Sequence, residues 1–250
     1  MAKTAKPKSG LKVVYSASRK LYPYMLPTIT SLLEHNKPEK VYVMIEDDHL
    51  PYDLPEVCEV INVADKLDKI FPPGAANSNT VLTKMSLIRS CYCSLFPKED
   101  KLLQLDIDTI VCDSLQPIWD MDMTGYYFAA CQEYKGQYHP FGEKYYNIGV
   151  CLFNLAEMRK DNIEEQMIEL LNTKKYMCIE QDAWQEACQG KILDLPPRYN
   201  ECTMVGTSDN PAIIHFAGYA AWWVKMVMPG HERLKPYKHL FREDLKDVYG

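Results

Sequence analysis

The 250-residue sequence has no excess of positive charge, no long apolar run and no paired-cysteine motif, and each absence removes a class of protein. Lys and Arg number 28 against 34 Asp and Glu, a net charge of -6, so the basic excess of a nucleic-acid binder is missing. That argues against a nucleic-acid partner but not against an anionic ligand, since a metal ion can supply positive charge locally. No stretch approaches the roughly twenty apolar residues needed to cross a bilayer, and MAKTAKPKSG is not followed by the apolar core of a signal peptide. The nine cysteines include no C-x-x-C pair, which sets aside a structural zinc site and leaves free thiols in a reducing compartment. A soluble, cytoplasmic protein is expected. No internal repeat and no linker divides the chain, so one domain over 1–250 is the simplest organisation.

What is there is an α/β pattern. Leu11 to Ala17 reads as a buried strand, Tyr22 to His35 as a helix that Pro27 kinks or starts late, and Lys40 to Glu46 as a second strand. That spacing predicts a parallel βαβ unit. A short strand over Glu56 to Val63 and a loop over Phe71 to Thr80 follow. Val81, Met85, Ile88, Tyr92 and Leu95 then recur at helical spacing as far as Pro97. Lys101 to Leu105 is a strand, as are Tyr126 to Cys131, Asn147 to Phe153 and Ile213 to Phe216. Asn154 is placed to cap a helix from Leu155 to about Asn172, and Gln181 to Cys188 is a shorter helix.

The residues that carry chemistry lie in KLLQLDIDTIVCDSLQPIWD, Lys101 to Asp120. An apolar strand delivers Asp106 and Asp108 at alternate positions, which in extended backbone share one face while Ile107 points inward. Two carboxylates that close repel and call for a cation or a proton. At the carboxyl end of a strand in an open α/β sheet, a divalent cation such as Mn²⁺ or Mg²⁺ suits them, with positions left for phosphate oxygens. The P-loop, EF-hand and zincin patterns fail on spacing: Gly136 to Lys144 is not a P-loop, and His231-Glu232 has no second histidine.

The stretch LDIDTIVCDSLQPIWD resembles the "LD-x-D-x-x-V-x-D-x-L-x-x-L/I-W-D" block of the retaining glycosyltransferases of family 8, which include bacterial lipooligosaccharide galactosyltransferases and glycogenin. Asn147-Ile148-Gly149-Val150 with CLFNL, Glu180-Gln181-Asp182, and Ile214-His215-Phe216-Ala217-Gly218 resemble three further blocks of that family, in order, over about Leu11 to Trp223. The resemblance implies a GT-A type fold with a central, mostly parallel sheet flanked by helices. It divides the chain into a nucleotide-sugar-binding half (about 11–125), an acceptor-side half (about 126–225) and a C-terminal tail (226–250). It also implies a UDP-hexose donor, a carbohydrate or glycolipid acceptor, and a Mn²⁺ (or Mg²⁺) ion held by Asp106, Asp108 and His215. Tyr15, Ser16, Ala17 and Ser18 match the strand end that holds the nucleoside. Lys84, Asp106, Ile107 and Gly218 complete the donor contacts, and Asn147, Gln181 and Asp182 become the catalytic, sugar-side candidates. Gln181 would stabilise an oxocarbenium-like sugar during front-face attack, and Asp182 is the nucleophile of a competing double displacement.

Two departures stand out. Ser18 replaces the usual aspartate, and Ala221 replaces the lysine that clamps the diphosphate, with Lys225 or the basic tail as substitutes. Trp222, Trp223 and the aromatic loop from Tyr126 to Tyr146 are candidates for stacking on sugars. Lys235, Lys238 and Arg242, with Tyr237 and Phe241, offer a peripheral membrane contact. Glycogenin-like glycosylation of a protein or of the chain itself, and a non-catalytic nucleotide-sugar-binding module, are the alternative functions. Replacing either aspartate by alanine is expected to abolish metal-dependent turnover with the fold intact.

Overall fold

The computed structural model describes residues 10–78, 84–133, 144–202, 208–224 and 230–241. Strands β1 (Lys12–Ser16), β2 (Lys40–Ile45), β3 (Cys58–Asn62) and β4 (Lys101–Leu105) pair in parallel, as the βαβ spacing requires. The sheet then continues through β7 (Tyr146–Asn154), antiparallel to both β4 and β6 (Phe128–Gln132), and closes with β8 (Ile192–Asp194), parallel to β6. The order is β3-β2-β1-β4-β7-β6-β8, mostly parallel and flanked by helices as expected. A second, three-stranded sheet joins β5 (Thr109–Val111), β10 (Ile213–His215) and β9 (Glu201–Cys202).

Strand alternation sorts the core. Val13 and Tyr15, with Val41, Val43 and Ile45, pack on the face covered by helix α1 (Leu26–His35), whereas Val14, Met44, Leu102 and Phe153 pack on the other. Both faces are covered, so β1 reads as a continuous apolar run; each side chain buried there contributes about 1.5–3 kcal/mol. A third cluster gathers Ile110, Phe216, Trp222, Leu234 and Phe241 around the small sheet.

Several elements depart from the expected boundaries. Pro27 falls in the first turn of α1, the late start, where its missing N–H costs nothing; a 3₁₀ segment, Arg19–Tyr24, precedes it. The helix expected from Val81 begins outside the described residues. From Lys84 to Cys91 it is a 3₁₀ segment that passes into α3 (Tyr92–Leu95). A helix α2 (Ala64–Ile70) had no strong periodic signal, and α4 (Gln116–Trp119) is one turn. The long helix over Leu155–Asn172 is two, α5 (Leu155–Lys160) and α6 (Ile163–Thr173), because Asn162 takes a left-handed conformation at φ 53°. Asn154 does cap α5, accepting from the Glu157 N–H. Helix α7 (Ile179–Ala187) leads back to the sheet. None of the nine cysteines is paired, and five are buried. Among the described residues no helix is long and apolar enough to cross a membrane.

Candidate metal and donor site

Past Leu105 the Asp106 N–H still meets the β7 ladder, donating to the Gly149 carbonyl at 2.7 Å. Thr109 Oγ then donates to the Asp106 carbonyl at 2.7 Å and closes a tight turn over Ile107 and Asp108. The two aspartates therefore leave a turn, not one face of an extended strand as the sequence suggested. They meet through the small sheet. The β10–β5 register sets His215 opposite Thr109, and the Phe216 N–H donates to the Asp108 carbonyl at 2.8 Å. His215 Nε2 consequently lies 3.3 Å from Asp108 Oδ1 and 3.9 Å from Asp106 Oδ2. One ligand atom from each of the three residues falls within a 4.8 Å cluster.

Asp106, Asp108 and His215 act on one another's charge. Burial pushes Asp108 above the usual carboxylate range, against the pull of His215. Burial would lower the His215 imidazole, but Asp108 and Asp106 outweigh it and hold the ring above its ordinary value. Two carboxylates and one imidazole are a donor set that suits Mn²⁺ or Mg²⁺. Gly149 makes room for it: a Cβ there would stand 2.2 Å from His215 Cε1.

Asp106 has a second partner that the sequence did not reveal. Arg89, on the 3₁₀ segment and only 7% exposed at its side chain, donates through Nη2 to Asp106 Oδ1 at 2.8 Å and through Nη1 to the Ile148 carbonyl at 2.8 Å. Its Nε lies 4.0 Å from Glu180 Oε1. Burial opposes the Arg89 charge, and Asp106 and Glu180 more than compensate, keeping it ionised. The available signal was a lone arginine among Met85, Leu87, Ile88 and Cys91, all buried.

These groups line a cleft of about 830 Å³. Of the expected donor contacts, Ser16, Ala17, Ser18, Asp106, Ile107 and Gly218 line it. Gly218 does so at φ +62°, a conformation that suits glycine. Tyr15 and Lys84 do not. Tyr15 has the wrong parity on β1 and is fully buried against α1, and Lys84 pairs with Asp68 of α2 at 2.8 Å. Trp223 faces the cleft, whereas Trp222 is core, packed edge-on against Phe216. Ala221 is buried, and Lys225 and Arg242 lie outside the described residues, as do all but Lys144 of the Gly136 to Lys144 stretch and residues 134–143 of the aromatic loop. Phe241 is buried in the third cluster, and partly buried Tyr237 packs against it with its hydroxyl 3.1 Å from Cys112 Sγ.

On the sugar side, Asn147 and Gln181 line the cleft and Asp182 does not. Asp182 Oδ2 accepts the Met177 and Cys178 N–H groups at 3.1 and 2.8 Å, while Oδ1 accepts from the Tyr145 hydroxyl at 2.5 Å. The grip has a purpose. Ile179 sits at φ 43°, a costly conformation for a β-branched residue (about 1–3 kcal/mol), and the capped turn around it presents Gln181 to the cleft. Asp182→Asn keeps one oxygen for the Met177 and Cys178 N–H groups but turns an NH2 toward the Tyr145 hydroxyl, which must then accept, and it cannot act as a nucleophile. It is expected to lose about 1 kcal/mol of stability and to keep turnover within about tenfold of wild type. Donor turnover and thermal melting measure this; a thousandfold loss at unchanged stability would return Asp182 to the reaction.

A family model described as glycosyl transferase family 8 matches residues 12–226. The chain is 25% identical over 247 residues to glycosyltransferase GlyA of Streptococcus pneumoniae, covering 91% of this chain and 34% of that protein. It is 27% identical over 172 residues to general stress protein A of Bacillus subtilis, covering 57% of this chain and 60% of that protein. The chain thus spans only part of the length of these curated relatives. The crystal structure of the galactosyltransferase LgtC, in complex with donor and acceptor sugar analogues, superposes with a TM-score of 0.75 at 20% identity, over 95% of this chain and 100% of that one. The fold is of the GT-A type.

Proposed function

Because the chain belongs to glycosyl transferase family 8, we propose that it is a retaining hexosyltransferase that takes its sugar from a metal-bound UDP-sugar. Its acceptor in this reading is a hydroxyl of a glycan or glycolipid. The observation that carries the proposal is the convergence of Asp106, Asp108 and His215 within 4.8 Å in the wall of a cleft at the carboxyl ends of the central strands β1 and β4, large enough for a nucleotide sugar.

Asp106, Asp108 and His215 would hold Mn²⁺ or Mg²⁺, which when bound neutralises charge on the departing diphosphate. The chain's own groups do the rest. Ser16 to Ser18 line the cleft beside the end of β1, and Ser18 Oγ is buried without a hydrogen-bond partner, a free group for the base or ribose. Two cations besides His215 line the cleft among the described residues. Arg89 is committed to Asp106, which leaves Lys20 to serve where the clamping lysine is replaced by buried Ala221. Gln181 is held by its own Oε1, which accepts the Ile148 N–H at 3.2 Å, and the remaining lone pair of that oxygen would stabilise developing positive charge on the sugar. The acceptor hydroxyl attacks from the leaving-group face and passes its proton to the departing phosphate oxygen.

The direct test is donor turnover across nucleotide sugars with and without Mn²⁺, with the product anomer read by NMR. Turnover of a UDP-hexose that stops with chelator and yields the retained anomer is expected. Turnover indifferent to chelator, or an inverted product, rejects the proposal. A second reading, glycosylation of the chain itself, is favoured by one observation: Tyr219 is 74% exposed and follows Gly218 at the cleft wall. Hexose bound covalently to purified protein after incubation with donor would establish it, and its absence would remove it. Donor binding without any turnover would instead mark a binding module.

A further inference from the structure

The hydrogen bonds behind His215 run in one direction, and that direction can be read from a donor that has no choice. The Gly149 backbone N–H can only donate, and it meets Asn147 Oδ1 at 2.9 Å. Asn147 therefore turns its amide nitrogen the other way, where Nδ2 meets the carboxylate Oε1 of Glu133 at 2.8 Å. The Asn200 atom that lies 2.8 Å from Asn147 Oδ1 must then be a donor, its Nδ2. That leaves Asn200 Oδ1 facing His215 Nδ1 at 2.8 Å. An amide oxygen only accepts, so the ring carries a proton on Nδ1, and in the neutral ring Nε2 is the lone pair that faces Asp106 and Asp108.

We propose that Asn200 is a positioning residue that fixes His215 in its Nδ1–H tautomer, with the sense of the bonds set from the far end by Glu133 and the Gly149 N–H. It rests on the metal reading above for its purpose but not for its geometry. A histidine ligand coordinates through the nitrogen that bears no proton, and the hydrogen bond on the other nitrogen decides which one that is. Asn200 is built to hold its place: it is 8% exposed, and its N–H donates to the Pro197 carbonyl at 3.1 Å. The same Glu133 Oε1 also receives Gln181 Nε2 at 3.4 Å. One carboxylate thus orients the imidazole on the metal side and the amide on the sugar side.

The test uses metal-free, full-length protein labelled with ¹⁵N-histidine. Long-range ¹H–¹⁵N correlation spectra report the tautomer of each of the six histidines. His215 is assigned by the signals lost in His215→Gln, at a pH raised until the ring is neutral. Wild type is expected to show the Nδ1–H form. Asn200→Leu removes the acceptor: the ring should pass to a mixture of forms or to Nε2–H, with Mn²⁺ affinity by calorimetry falling roughly ten- to hundredfold. Asn200→Asp keeps an acceptor and should keep the Nδ1–H form, with thermal melts confirming folded protein. Should Asn200→Leu fail to fold, the wild-type and Asn200→Asp spectra decide. An Nε2–H ring in wild type, or an Asn200→Leu ring that stays Nδ1–H, overturns the proposal. If the tautomers behave as expected but wild type binds no Mn²⁺, the positioning role stands and the metal reading falls.

Discussion

Asp108→Ala is expected to eliminate metal-dependent donor turnover while leaving the thermal midpoint of the metal-free protein nearly unchanged, whereas Asp106→Ala should lose both. The expectation from sequence was that either change would spare the fold; the structure separates them. Asp108 shares its space with Asp106 and a histidine, so removing it deletes one of two repelling carboxylates, and the net stability change should stay within about 1 kcal/mol. Asp106 is the close ionic partner of Arg89, whose side chain is 7% exposed and whose next carboxylate, Glu180, is 4.0 Å away. Asp106 itself is 30% exposed, so taking it from the buried arginine should cost toward the lower end of about 3–5 kcal/mol. For a chain of this size that lowers the midpoint by on the order of 10 °C. Loss of a cation ligand should reduce turnover by at least about a hundredfold in each variant. The measurements are donor hydrolysis with saturating Mn²⁺ and melts recorded with chelator. Equal melting of the two variants would show that Arg89 does not depend on Asp106.

The second large effect is expected at a residue with no side chain. Gly149→Ala would place a Cβ 2.2 Å from His215 Cε1, 2.9 Å from His215 Nδ1 and 3.0 Å from Asn147 Oδ1. Those atoms are parts of a packed ring and a hydrogen-bonded amide, so neither yields cheaply. The imidazole must swing away from the aspartates, and a stability loss of about 1–3 kcal/mol from overpacking accompanies a fall in Mn²⁺ affinity. The double variant Gly149→Ala/His215→Ala gives a clean check. Removing the ring removes the clash, so the double variant should melt above Gly149→Ala alone while still failing to bind the metal. Additive stability losses would show that the glycine serves some need other than the approach of His215.

Much of this protein was legible in one dimension. The parallel β1–β2 unit follows from apolar runs at βαβ spacing, because a strand covered on both faces must be apolar throughout. The chemistry at Asp106 and Asp108 was visible because two carboxylates at the end of an apolar strand need a cation to be stable there. His215, Gly149 and Gln181 could be named because they sit in short blocks whose order resembles a family's. What the sequence could not show is which way neighbouring side chains point and which distant partners absorb them. Tyr15 and Ser16 are adjacent, yet strand parity sends the first into the core and leaves the second on the cleft. Asp182 follows Gln181 directly, but its carboxylate is consumed by two N–H groups and a hydroxyl in the turn around strained Ile179. Glu133 and Asn200 carried no local signal, and Arg89 only that of a lone arginine among apolar residues, since their partners lie 14, 53 and 17 residues away and only the fold brings them together. The sequence by itself determined which atoms could hold a metal and a sugar; the tertiary structure decided their hydrogen-bond partners, because buried polar groups take their orientation from the donors and acceptors folded against them.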